Sequence, residues 1–147
     1  MLNARGSLRH AACAALAFCA LLSTAAHADN SLYREFGEQP GLVRIIDDFY
    51  DLLLVDPRTK PYFDGAPVKR IKQKLAEQFC VLLDGPCVYT GRTMKRAHEG
   101  QNIDRAAFNA LVEDLQTAMD RNGVPFRAQN KLLAKLAPMY RDVQDRE

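Results

Sequence analysis

The stretch Pro40-Gly41-Leu42-Val43-Arg44-Ile45-Ile46-Asp47-Asp48-Phe49-Tyr50-Asp51-Leu52-Leu53-Leu54-Val55-Asp56-Pro57 decides the fold class. Leu42, Ile45, Ile46, Phe49, Tyr50, Leu53 and Leu54 recur at steps of about three and four, which lays them along one wide stripe of a helix. The alternation that marks a half-buried strand is absent. Pro40 suits a first helical turn, where its missing N–H costs nothing, and Asp56-Pro57 stops the run.

The same period extends outward in both directions. Upstream, Ser31 can cap a short helix that ends at Gly37. Downstream, residues 58–66 hold Pro61, Gly65 and the pair Tyr62-Phe63, a corner packed under aromatics. A helix from Pro67 carries Ile71, Leu75, Phe79 and Leu82 on one face and ends at Asp84-Gly85-Pro86. Residues 87–93 have turn character and no period. Asp104 is a good N-cap for a helix with Phe108, Leu111, Val112, Leu115 and Met119 inward, closing at Asn122-Gly123. Pro125 opens the last helix, through Leu132, Leu133, Leu136, Met139, Tyr140 and Val143, with a bend at Pro138. The predicted class is all-α, in one domain over residues 29–147.

Residues 1–28 read as a cleavable signal peptide: Arg5 and Arg9, an apolar run from Ala11 to Leu22, then Ala26-His27-Ala28. The run is roughly half of the about 20 residues that a membrane span needs. Phe18 before Cys19 disfavours a lipid-attachment motif. The expectation is export, to the periplasm, with no membrane association after cleavage behind Ala28. The chain has 20 Lys and Arg against 18 Asp and Glu, so losing Arg5 and Arg9 leaves the mature chain balanced. Nothing in that balance favours nucleic acid.

Of the 3 histidines, His10 and His27 leave with the signal, and only His98 stays. One imidazole does not build a multi-histidine metal site, but it can be the single axial ligand of a haem iron, leaving the opposite face open. Of the 4 cysteines, Cys80 and Cys87 stay. In an oxidising compartment they can form a disulfide across a helix end, or remain two thiols with one buried. Their spacing with His98 matches no usual zinc pattern.

The order of these elements, together with Ser31-Leu32-Tyr33, Asp47-Asp48-Phe49-Tyr50, the aromatics before Gly65, Gly85-Pro86, Tyr89-Thr90-Gly91, Ala97-His98-Glu99-Gly100 with Ile103, and Gly123-Val124-Pro125, resembles the truncated haemoglobins, specifically their first group. The resemblance spans nearly the whole mature chain. It implies a two-over-two helical sandwich around a haem, with His98 as proximal iron ligand. It further implies Tyr50 as the distal hydrogen-bond donor, Phe63 against the porphyrin face, and Ile71 and Leu75 on the distal side. Lys74 would stand near a haem propionate, with Met94 and Ile103 along the proximal side or edge.

The chain departs from the family pattern in two ways. Gly37-Glu38 and Asp84-Gly85 stand where many members have paired glycines, and Leu75 stands where members often place a second distal donor, glutamine. Without a Cys-x-x-Cys-His motif the expected cofactor is non-covalent haem b. The implied function is reversible binding of oxygen or another diatomic gas, such as nitric oxide or carbon monoxide. The alternatives are nitric oxide dioxygenation with an external electron-donor reductase, and an exported helical interaction module without haem.

Overall fold

The structure is a computed structural model and describes residues 31–144. The expected signal segment, with its cleavage point, lies outside these residues. The elements in order are α1 (Ser31–Glu35), α2 (Glu38–Val55), α3 (Lys60–Phe63), α4 (Val68–Leu82), α5 (Met94–His98), α6 (Arg105–Arg121), α7 (Phe126–Leu136) and α8 (Tyr140–Val143). A 3-10 turn at Ala137–Met139 separates the last two, and there is no strand among the described residues.

Helix α2 organises the rest. It packs on both α4 and α6, while α7 closes against the same two helices, so α2 with α4 lies over α6 with α7. The apolar stripe is the reason: Leu42, Ile45, Ile46, Phe49, Tyr50 and Leu53 are all buried, each contributing about 1.5–3 kcal/mol through surface removed from water. Gly41 lets α1 meet α2 closely, because a Cβ there would lie 1.9 Å from the Phe36 carbonyl oxygen.

Helix ends follow side-chain chemistry. The Asp104 carboxylate accepts from the Ala107 N–H at 2.7 Å, and Thr93 accepts from Arg96 N–H to start α5. At the end of α4 the Lys135 ammonium donates to the Leu82 carbonyl and pairs with Asp84 at 2.8 Å. There Cys80 and Cys87 are bridged, with Cα atoms 5.9 Å apart. Gly85 makes the turn possible, since a Cβ would lie 2.7 Å from the Cys80 sulfur and 2.9 Å from Tyr33. Closing so short a loop is worth about 2–3 kcal/mol. It ties the start of the irregular segment to α4.

The chain differs from the sequence expectation in four local places. Helix α2 begins at Glu38, two residues before Pro40, which still lies in the first turn, where N–H groups lack intrahelical partners. The 58–66 corner contains one helical turn, α3, too short to show a period. The bend at Pro138 is the 3-10 turn, because proline removes the N–H that would continue α7. Glu38 and Asp84, the non-glycine members of the two turns, both adopt positive φ, 55° and 60°.

Candidate functional site

The apolar faces of α4 and α6 are not wholly consumed by the core. Phe79 and Leu115 are buried, but Ile71, Leu75 and Leu111 on the same faces are only partly so. They border a cavity of about 470 Å³ that also meets the α3 corner, the 87–93 segment and α5. Seven residues marked from sequence line it: Phe63, Ile71, Lys74, Leu75, Met94, His98 and Ile103. The eighth, Tyr50, lies behind the wall, its ring edge-on to Phe63 with centroids 5.8 Å apart.

His98 is held in one orientation. It closes α5, and its Nδ1 lies 2.8 Å from the Met94 carbonyl oxygen one turn earlier. A carbonyl only accepts, so Nδ1 is the donor, and in a neutral ring the lone pair then lies on Nε2. A backbone carbonyl on the far nitrogen is the usual means of fixing a metal-ligating imidazole.

Tyr50 is fully buried, and its hydroxyl is a buried side-chain polar atom with no hydrogen-bond partner among the described residues. An unpaired hydroxyl in that position costs about 1–3 kcal/mol. Burial pushes the phenol pKa up, opposed by the Lys72 charge, so the group stays a protonated donor at neutral pH. It is a donor awaiting an acceptor.

The polar edge is more ordered than sequence suggests. The Lys74 ammonium contacts both Glu77 oxygens at 2.8 and 2.9 Å and also the Thr90 hydroxyl. Glu77 accepts from the Thr90 N–H and hydroxyl as well; these bonds, the Lys74 contact foremost, hold its carboxyl down to about 2. The Tyr89 hydroxyl donates to the Arg92 carbonyl at 2.7 Å, while Gly91 leaves room for the Tyr89 ring. Arg70 and Arg92 also line the cavity, and neither forms an ion pair among the described residues. Sequence reading gave no site role to Arg70, Glu77, Gln78 and Arg92, and named Tyr89 only as part of a turn motif. The i, i+3 spacing of Lys74 and Glu77 is the one local signal that marked any of them.

An apolar cavity, an imidazole with its free nitrogen available and a buried phenol without an acceptor fit a haem with a small ligand. Such an all-helical sandwich defines a globin-type haem protein. A family model described as bacterial-like globin matches residues 31–145. A group 1 truncated haemoglobin of Mycolicibacterium paratuberculosis is 31% identical over 113 residues, covering 77% of this chain and 83% of that protein. Another, from Tetrahymena thermophila, is 29% identical over 94 residues, covering 64% of this chain and 78% of the relative.

Among solved structures, the Fe(III) truncated haemoglobin of Tetrahymena pyriformis matches with a TM-score of 0.74 at 24% identity, covering 78% of this chain and 98% of that one. The two-over-two haemoglobin of Synechococcus, with covalently attached haem, matches with a TM-score of 0.72 at 21% identity, over 78% and 98%. These structures establish the fold. The chain belongs to the bacterial-like globin family, as a group 1 truncated haemoglobin, and is a haem-binding globin.

Proposed function

We propose that the protein binds oxygen or another diatomic gas reversibly at a non-covalent haem b, with His98 as the proximal ligand and Tyr50 as the distal donor. The observation that carries this reading is the buried Tyr50 hydroxyl, without a partner among the described residues. A bound diatomic with partial negative charge is the acceptor that the phenol lacks, and a single donor gives a reversible hold. Phe63, Ile71 and Leu75 supply apolar wall, which excludes water from the same space. Met94 and Ile103 border His98 in the same cavity.

At the edge, Lys74, Arg70 and Arg92 are the cations available to propionates. Lys74 is already paired with Glu77, so the two arginines are the freer partners. Export to the periplasm, after cleavage behind Ala28, is supported by the bridged Cys80 and Cys87, a pairing that persists in oxidising compartments. No helix among the described residues is long and apolar enough to cross a membrane.

The deciding experiment is the optical spectrum of the exported protein, ferric and ferrous, with and without carbon monoxide, beside His98→Ala. A histidine-ligated spectrum that collapses in the variant is expected; a colourless protein that cannot be reconstituted overturns the reading. Nitric oxide consumption by the oxygenated protein, with and without candidate reductases, separates gas carriage from dioxygenation. N-terminal sequencing of protein recovered from the periplasm checks the cleavage point.

A further inference from the structure

The α4 lysine that sequence reading singled out is Lys74, at the cavity edge. Lys72, two residues earlier, does something different. Its ammonium lies over the Tyr50 ring, 5.4 Å from the centroid, and donates to Asp47 at 2.8 Å. Asp47 precedes Tyr50 by three residues on α2, so the two side chains neighbour one another on that helix. The carboxylate therefore pins the ammonium where it faces the aromatic ring. Lys72 is absent from the cavity lining, and its side chain is 25% exposed, which limits solvent screening of its field on the ring.

A cation over the face of a phenol draws on the ring's electron density. The hydroxyl hydrogen then becomes more positive, and the group becomes a better donor to whatever acceptor it meets. Among the described residues Lys72 is the charge that acts on this phenol, against the opposing effect of burial. Asp47 is the group that holds it there.

We infer that Lys72, pinned by Asp47, is a positioning residue for the distal tyrosine that strengthens the Tyr50 hydroxyl as a hydrogen-bond donor to a bound gas. The inference rests on the proposed distal role of Tyr50. It accounts for how one phenol serves where relatives often add a glutamine, at the position of Leu75.

The test is Lys72→Met beside Lys72→Arg, each in wild type and in Tyr50→Phe, read by oxygen dissociation and by the stretching frequency of bound carbon monoxide. Lys72→Met is expected to speed dissociation about two- to fivefold, the range of an exposed to partly buried cation–π contact. It should also raise the carbon monoxide stretch, and Lys72→Arg should restore both. In the Tyr50→Phe background the Lys72→Met effect should vanish, because the group it acts on is gone. An equal effect in both backgrounds overturns the inference in favour of a helix-packing role.

A second reading in the haem-free protein does not depend on gas binding. The phenolate absorbance assigned to Tyr50, by difference from Tyr50→Phe, should titrate at higher pH in Lys72→Met. An unchanged titration overturns the inference even where haem binding holds. Failure to form any carbon monoxide complex would count against the gas-binding reading instead, leaving this titration to decide the role of Lys72.

Discussion

The Tyr50 and Phe63 rings meet edge to face, with centroids 5.8 Å apart and planes inclined by 80°. Phe63 thus forms cavity wall while Tyr50 stands behind it with a hydroxyl that no group among the described residues satisfies. The contact holds the phenol ring by packing and leaves its polar end uncommitted. Stability and function therefore pull in opposite directions at this residue.

Tyr50→Phe is accordingly expected to stabilise the haem-free protein by roughly 1 kcal/mol, since it deletes an unpaired buried hydroxyl and keeps the ring contact. In the haem-loaded protein the same change should speed oxygen dissociation about five- to thirtyfold, the equivalent of one hydrogen bond to a polar ligand. Denaturant melts and stopped-flow measurements check the two signs. A stability loss in the haem-free variant would show that the hydroxyl has a partner.

Leu75→Gln introduces a second donor on the cavity face of α4. Oxygen dissociation should slow by about fivefold or more if the amide reaches the ligand. The comparison is made by stopped flow, and no slowing in the variant would place position 75 out of reach of the gas.

Glu38 has φ +55° directly after Gly37 at +74°, a left-handed pair in which only the first residue is free of the Cβ penalty. Glu38→Gly should relieve that strain, net of the added unfolded-state entropy, and stabilise the protein by about 0.5–1 kcal/mol. A thermal melt reads it. Asp84, at φ +60°, is the poorer site for the same change because its carboxylate pairs with Lys135.

Asp114 is buried on α6, and its carboxylate accepts from the Thr59 hydroxyl at 3.3 Å, while that hydroxyl also reaches the Leu53 carbonyl at 3.0 Å. Burial, and then the nearby Asp56 charge, raises its pKa above 3.8. A raised carboxyl binds a proton more tightly when folded. Its contribution to stability therefore grows as pH falls from the folded pKa towards 3.8 and is lost above the folded value. Asp114→Asn should stabilise the protein at neutral pH by on the order of 1 kcal/mol, with the advantage shrinking through that window. Paired melts across pH measure this, and a pH-independent difference would rule out titration of Asp114 as its source.

Much of the fold was legible because helices advertise themselves locally. The apolar stripe from Leu42 to Leu54, the Asp104 cap and the Gly123 stop each act within a turn or two, and each appears where the spacing put it. The α3 turn was hidden because four residues carry no period, and the 3-10 turn at Pro138 read only as a bend.

For the site, the sequence by itself determined which residue types exist: His98 as the one histidine among the described residues, an apolar face on α4 longer than a core needs, and a tyrosine on the α2 stripe. Tertiary structure alone decided what those residues meet. Ile71 and Leu111 remain part-exposed because they border a cavity, and the buried Tyr50 hydroxyl finds no partner among the described residues. Lys72 reaches the Tyr50 ring across a gap of 22 positions in the chain, and Glu77 clasps Thr90 across 13. Periodicity reports which face of a helix is apolar, but electrostatic and hydrogen-bond contacts act through space at a few ångströms. Those distances are set only when the two helical layers cross.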